Sequence, residues 1–284
     1  MRKDIILPAL ALTGGLAGFL LRRWQLASAY LPEAGLFVRG APATFVLLGL
    51  IALLALVFLA LLWHHPEGVD DFLPAFGSPG AGQMTVFAAV WLLMSFAGSM
   101  GMQEGFRALR LWQTAPEMYQ LSVAGSQLLT GAICVLGGFG VLFMGRMAHR
   151  RELDNASCFL APFPALAALM WMFSTHLKHG SEPVLMKYGF TLFAALLLTL
   201  AHYEIAGFLF GRPHARRTAF LALLGVVLGV TSLADGPDLF TAAATAAFSL
   251  SALAFARALL AAPWPERMPP LEEDGDDEAP KNDD

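Results

Sequence analysis

Charge is scarce in this chain. Asp, Glu, Lys and Arg make up 14% of its 284 residues and apolar side chains 57%, whereas a soluble domain carries about a quarter charged residues and roughly half apolar ones. This imbalance excludes a single water-soluble core, because too few polar side chains remain to cover it. Cysteine is nearly missing as well. Cys134 and Cys158 fit neither a disulfide framework nor a thiolate metal site, and both read as small apolar packing residues. The 18 Lys and Arg are dispersed rather than clustered, which excludes nucleic acid as a partner. Also missing are a Walker loop, a dinucleotide glycine fingerprint, a Gly-x-Ser-x-Gly elbow and a His-Glu-x-x-His pair. Six of the seven histidines fall at the ends of apolar runs or in loops, leaving His202 as the one well inside a run. Haem ligation takes pairs of histidines from neighbouring helices, so no cofactor and no metal are expected.

What the chain has instead is a succession of apolar runs of about 17 to 25 residues, the length that crosses a bilayer as helix. None alternates with the period of two that marks the strands of a membrane barrel. In lipid only helices and closed barrels satisfy every backbone N–H and C=O. The fold class that follows is all-α, a polytopic integral membrane bundle of about eight transmembrane helices. The spans fall at approximately 5–21, 43–63, 84–106, 121–144, 157–175, 184–210, 218–234 and 239–262, and together they form one transmembrane domain over residues 1–265. Residues 266–284 differ in kind. Nine acids face Arg267 and Lys281 there, a net of −7 in a chain of −4, which leaves +3 on residues 1–265. Such a Pro-rich acidic segment is expected to be a disordered tail.

Ala27-Ser28-Ala29 imitates a signal-peptidase site, but Arg22 and Arg23 separate it from the first apolar run, so the run reads as an uncleaved span. The loop from Arg22 to Pro42, with Trp24 and Tyr30, reads as an interfacial anchor. Gly14 and Gly18, the four glycines Gly131, Gly137, Gly138 and Gly140, and Gly225 with Gly229 give small-residue faces that allow close helix approach. Such faces serve packing within the chain, a partner protein or a homo-oligomer. Eight spans put both termini on one face of the membrane. Counting Lys and Arg by alternate loops gives eleven on that face, among them Arg146, Arg150, Arg151, Arg212, Arg216 and Arg217, against seven on the other. The positive-inside rule then favours cytoplasmic termini, with Arg22, Arg23 and Arg39 arguing the other way. One internal echo is visible: Arg22-Arg23-Trp24-Gln25 and Arg110-Leu111-Trp112-Gln113 each follow an odd-numbered span and precede a Pro-Glu pair. Duplicated hairpins and coincidence both account for it.

The sharpest candidates for chemistry are His202, Tyr203 and Glu204 in the run from Pro183 to Gly211. Apolar residues resume after them, which sets Glu204 roughly 10 Å inside the end of a helix at about 1.5 Å per residue. An ionisable group so placed is costly and marks a functional site by default. Helical spacing puts His202 and Glu204 about 200° apart, so they do not form a simple pair. Two readings stand: a proton- or ion-linked polar site facing the bundle, and snorkelling towards Arg212, Arg216 or Arg217. A second candidate cluster is Glu104, Arg107 and Arg110, in which Glu104 and Arg107 stand at i, i+3 and can pair on one face. His176, His179 and Glu182 share a spacing that would suit a metal on a helix, but Gly180 and Pro183 make an interfacial loop the better reading. His64, His65 and Glu67 read as an exposed helix end, and Met100, Met102, Met170 and Met172 as flexible core packing.

The stretches RRWQLASAYLPEAGLFVRGAPAT (22–44), AGFLFGRPHARR (206–217) and SLADG (232–236) resemble an uncharacterised family of multi-pass proteins from anaerobic Gram-positive bacteria. That resemblance covers most of the chain and implies a location in a bacterial plasma membrane without an activity. It favours Tyr203 over its neighbours as a family position. Three functions remain open on these grounds. A protein that handles or transports a small solute or lipid would line a cavity with Glu104, Arg107, His202 or Glu204. A membrane anchor or scaffold would engage a partner through its acidic tail and basic loops. An intramembrane enzyme would need convergent His and Glu side chains.

Overall fold

Runs of Leu, Ala, Phe and Val with no charge to stop them form long helices, and α1 (Lys3–Ala29) followed by α2 (Pro42–Trp63) sets the pattern. A computed structural model of the chain describes residues 2–63, 71–77, 80–180 and 187–262. The remaining elements are a short α3 (Phe72–Phe76), α4 (Ala81–Thr114), α5 (Leu121–Arg150), α6 (Asn155–Leu160), α7 (Phe163–Lys178), α8 (Gly189–Gly207), α9 (Ala215–Ser232) and α10 (Leu239–Ala261). Single 3₁₀ turns, Phe208–Phe210 and Leu233–Asp235, extend α8 and α9. A small antiparallel ribbon, β1 (Tyr30–Leu31) with β2 (Leu36–Phe37), follows α1. With α6 and α7 counted as one span, eight of these helical segments are long and apolar enough to cross a membrane. The protein is an all-α, multi-pass integral membrane bundle in contact with lipid.

Several helices outrun the apolar stretches that announce them. α1 continues through Arg22 and Arg23 to Ala29, and α4 carries Glu104, Arg107 and Arg110 on to Thr114. The apolar run measures hydrocarbon depth, but the backbone ladder does not stop at a charge, and Arg, Gln and Leu are good helix formers. The fifth span is instead two helices. Pro162 and Pro164 lack the N–H that would continue the ladder, so α6 closes at Leu160 and α7 starts again at Phe163. Residues 64–70, 181–186 and 263–284 lie outside the described residues, and with them His64, His65, Glu67, Glu182, the start of the expected sixth span and the acidic tail.

α9 and α10 are the most buried spans and α2 the least. α9 lies at the centre, against α1, α2, α8 and α10, while α4 and α5 form the broadest helix pair. Small residues set these contacts. A side-chain carbon on Gly131 would stand 2.6 Å from the Gly98 carbonyl oxygen and 2.7 Å from the Met102 nitrogen, so α5 rests on α4 backbone to backbone. Gly137 faces Ala167, Gly15 faces Val230, Gly14 faces Leu54, Gly18 faces Thr231, and Gly225 and Gly229 face α8 and α10. The small-residue faces visible in the sequence are therefore filled by helices of the same chain. Lys3 Nζ donates to the Leu61 carbonyl at 2.9 Å and Gln83 Nε2 to the Ala254 carbonyl at 2.9 Å. These bonds tie together the helix ends on the face that carries the termini.

Candidate functional site

The connection between α8 and α9 builds a charged cleft on the terminus face. α8 stops at Gly207, whose carbonyl accepts the Arg212 N–H at 2.9 Å. Gly211 turns the chain at φ 68°, a conformation that glycine adopts without strain. Arg212, Pro213 and His214 then lead into α9, and Thr218 Oγ1 donates to the His214 carbonyl at 2.8 Å. The first turn of α9 thus folds back against the last turn of α8. Because regular helix ends three residues after Glu204, the carboxylate lies about 4.5 Å from that end, nearer than the apolar residues after it suggest.

Glu204 is 3% exposed. Arg217 Nε donates to its Oε1 at 3.0 Å, and His214 Nδ1 stands 3.1 Å from its Oε2. A carboxylate taken out of water needs such partners. The partners gain as well. The first turn of α9 carries Arg216 and Arg217 and no acid, an arrangement opposed to the helix dipole, and Glu204 supplies the missing negative charge from the neighbouring helix. The cleft around this pair has a volume of about 590 Å³ and is lined by Tyr203, Phe210, Arg212, Pro162 and Ala165 besides the ion-paired groups. Tyr203 is 52% exposed and borders the cleft on the outer side of α8.

His202 faces the opposite way, as the 200° separation requires. It is buried against α10, with Nδ1 2.7 Å from the Leu198 carbonyl and Nε2 2.9 Å from Ser251 Oγ. The carbonyl only accepts, so Nδ1 carries the proton and Nε2 accepts from the serine hydroxyl. Its ring meets Phe248 edge-on at 5.6 Å, and Trp171 stacks on the same phenylalanine. The three-residue string therefore divides into two cleft residues and one satisfied core histidine, and His202 and Glu204 do not converge.

Glu104 belongs to an ion cluster on the other membrane face. Its Oε2 lies 3.6 Å from Lys178 Nζ, and the same ammonium reaches Asp238 Oδ2 at 2.6 Å, so α4, α7 and the start of α10 are joined. Asp238 also caps α10, its Oδ1 accepting the Thr241 N–H at 2.8 Å. Burial pushes the Asp238 carboxyl up, but Lys178 and the Thr241 N–H outweigh this and hold it below the usual carboxylate range. The ion pair of Glu104 thus crosses between helices rather than following α4 to Arg107, and Arg107 and Arg110 are exposed. His176 is exposed and His179 stacks on Tyr188 at 5.1 Å. Among the described residues no three His, Cys, Asp or Glu gather as metal ligands.

The largest departure from the sequence reading is Arg22, which is no interfacial anchor. It is fully buried. Its Nε donates to Asp235 Oδ1 at 2.7 Å and its Nη1 to Gln25 Oε1 at 2.6 Å. The guanidinium also lies 4.7 Å from the Phe190 ring and 5.4 Å from the Phe37 ring, within cation–π range. Gln25 extends the network to Thr44 at 2.8 Å. The echo between the two Arg-x-Trp-Gln segments ends here, since Arg110 and Gln113 are exposed where Arg22 and Gln25 are buried.

Searches against protein-family profiles, curated protein sequences and solved structures found no match to this chain.

Proposed function

We propose that this is a transporter-like membrane protein that takes a small solute or a lipid into the Glu204 cleft, in a bacterial plasma membrane with both termini in the cytoplasm. The observation that carries this reading is a carboxylate 3% exposed at the wall of a cleft of about 590 Å³, held by two side chains that are themselves half exposed. A purely structural ion pair needs no adjoining space. This pair adjoins enough for a ligand, since binding sites span roughly 300–1,000 Å³. The far membrane face supports one-sided access, because there Arg22 with Asp235, and Lys178 with Glu104 and Asp238, tie the helix ends together. Native mass spectrometry of the purified protein, comparing wild type with Ala165→Phe, tests the reading. The substitution places a ring in the cleft, and the expected outcome is loss of a bound small molecule or lipid from a protein that remains folded. An identical set of bound species in both proteins would contradict it.

A further inference from the structure

The cleft has a chemical bias that the proposed function leaves open. Three cationic or protonatable side chains, Arg212, His214 and Arg217, line it together with a single carboxylate, Glu204. From α8 the other group facing the cleft is the Tyr203 phenol, and the side from Pro162 and Ala165 brings no titratable group. With Glu204 fully matched by one arginine, at least one full positive charge remains over. That surplus lies at the N-terminal end of α9, whose dipole adds to it. An arginine fork suits the oxygens of a phosphate. The opposite walls, Phe210, Ala206, Pro162 and Ala165, are apolar, and the cleft is several times the size of a bare phosphate.

We infer that the cleft binds a phosphate ester with an apolar portion, its phosphate taken by Arg212 and Arg217 in competition with Glu204. This rests on the reading of the cleft as the ligand site. Glu204 then acts as a built-in competitor: it keeps Arg217 and His214 oriented while the cleft is empty and yields them when the phosphate enters. The ester can come from a phospholipid headgroup or from a soluble organic phosphate, and the chemistry of recognition is the same.

The test measures thermal stability of the purified protein in two arms. One arm uses nanodiscs of a phosphate-free, uncharged galactolipid against the same nanodiscs doped with phosphatidic acid. The other uses detergent solution with inorganic phosphate or glycerol phosphate against chloride at equal ionic strength. Stabilisation by phosphatidic acid identifies a lipid source and stabilisation by glycerol phosphate a soluble one; either supports the proposal. In Glu204→Gln the same stabilisation is expected at several-fold lower ligand concentration, because the competitor is gone. In Arg217→Ala the required concentration rises roughly tenfold or more, as expected for loss of a charge-assisted bond. Arg212→Ala replaces Arg217→Ala if the latter does not fold. Weaker binding in Glu204→Gln overturns the proposal, since it makes the carboxylate a ligand for a cation. If no phosphate compound stabilises the protein while Ala165→Phe still removes a bound species, the phosphate class falls and the cleft stands. If Ala165→Phe changes nothing in either experiment, the cleft reading itself falls.

Discussion

A guanidinium with no exposed surface has to be neutralised by its neighbours, and Arg22 meets that need with a carboxylate, an amide and two aromatic rings. Removing one partner of such a buried pair leaves the other charged and desolvated, at a cost of about 3–5 kcal/mol. Arg22→Ala is therefore expected to lower stability by about that amount, measured as the unfolding midpoint in mild detergent, while Arg39→Ala on the exposed loop leaves the midpoint unchanged. Asp238 offers a test by pH. Its folded carboxyl titrates below the ordinary value, so the stability it contributes is fully present above the unfolded value, about pH 4, and is lost as pH falls through the lower folded value. Asp238→Asn keeps the helix cap but not the charge opposite Lys178. The stability difference between wild type and this variant should thus be present at pH 6 and shrink at acid pH; a difference constant down to pH 3 would contradict the ion pair. At this scale the sequence was half legible. Glu204 could be singled out because charge inside an apolar run is costly wherever it occurs. Its partner Arg217 is one of three arginines within reach, and no spacing in the sequence marks His214. The pairing of Arg22 with Asp235 joins residues 213 positions apart, and no spacing in the chain encodes it.

Among the elements, the α4–α5 pair carries the clearest consequence of small residues. The neighbours of Gly131 across the interface include the Gly98 carbonyl oxygen and the Met102 nitrogen, and backbone atoms do not rotate away as a side chain would. Gly131→Ala is expected to destabilise the protein by about 1–3 kcal/mol through overpacking. Gly49 on α2 has open space around the same position, so Gly49→Ala should leave stability unchanged; equal unfolding midpoints for the two variants would argue against tight α4–α5 packing. The glycines were visible from sequence, and their period announced close contact. Which helix each one meets was not visible, because that choice is made by the whole bundle. The same limit explains the fifth span, where hydropathy runs smoothly across residues 157–175 while Pro162 and Pro164 divide the backbone into α6 and α7.

For the whole molecule the two membrane faces differ in how their charges are used. On the far face Arg22 and Lys178 are engaged by Asp235, Glu104 and Asp238, which leaves fewer cations there to meet headgroups than a count of loop residues implies. On the terminus face Arg146, Arg150 and Arg212 are exposed, while Arg217 is paired with Glu204. In the proposed orientation, with cytoplasmic termini by the positive-inside rule, the Glu204 cleft opens on the cytoplasmic side. The most direct measurement is chemical labelling of Phe210→Cys, at the edge of the cleft, in a Cys134→Ala, Cys158→Ala background and in vesicles of known orientation. A membrane-impermeant maleimide should react from the cytoplasmic face, and the added Ala165→Phe substitution should slow that reaction by filling the space behind it. A rate indifferent to the filled cleft would contradict a ligand site at Glu204, and reaction from the opposite face would contradict the proposed orientation.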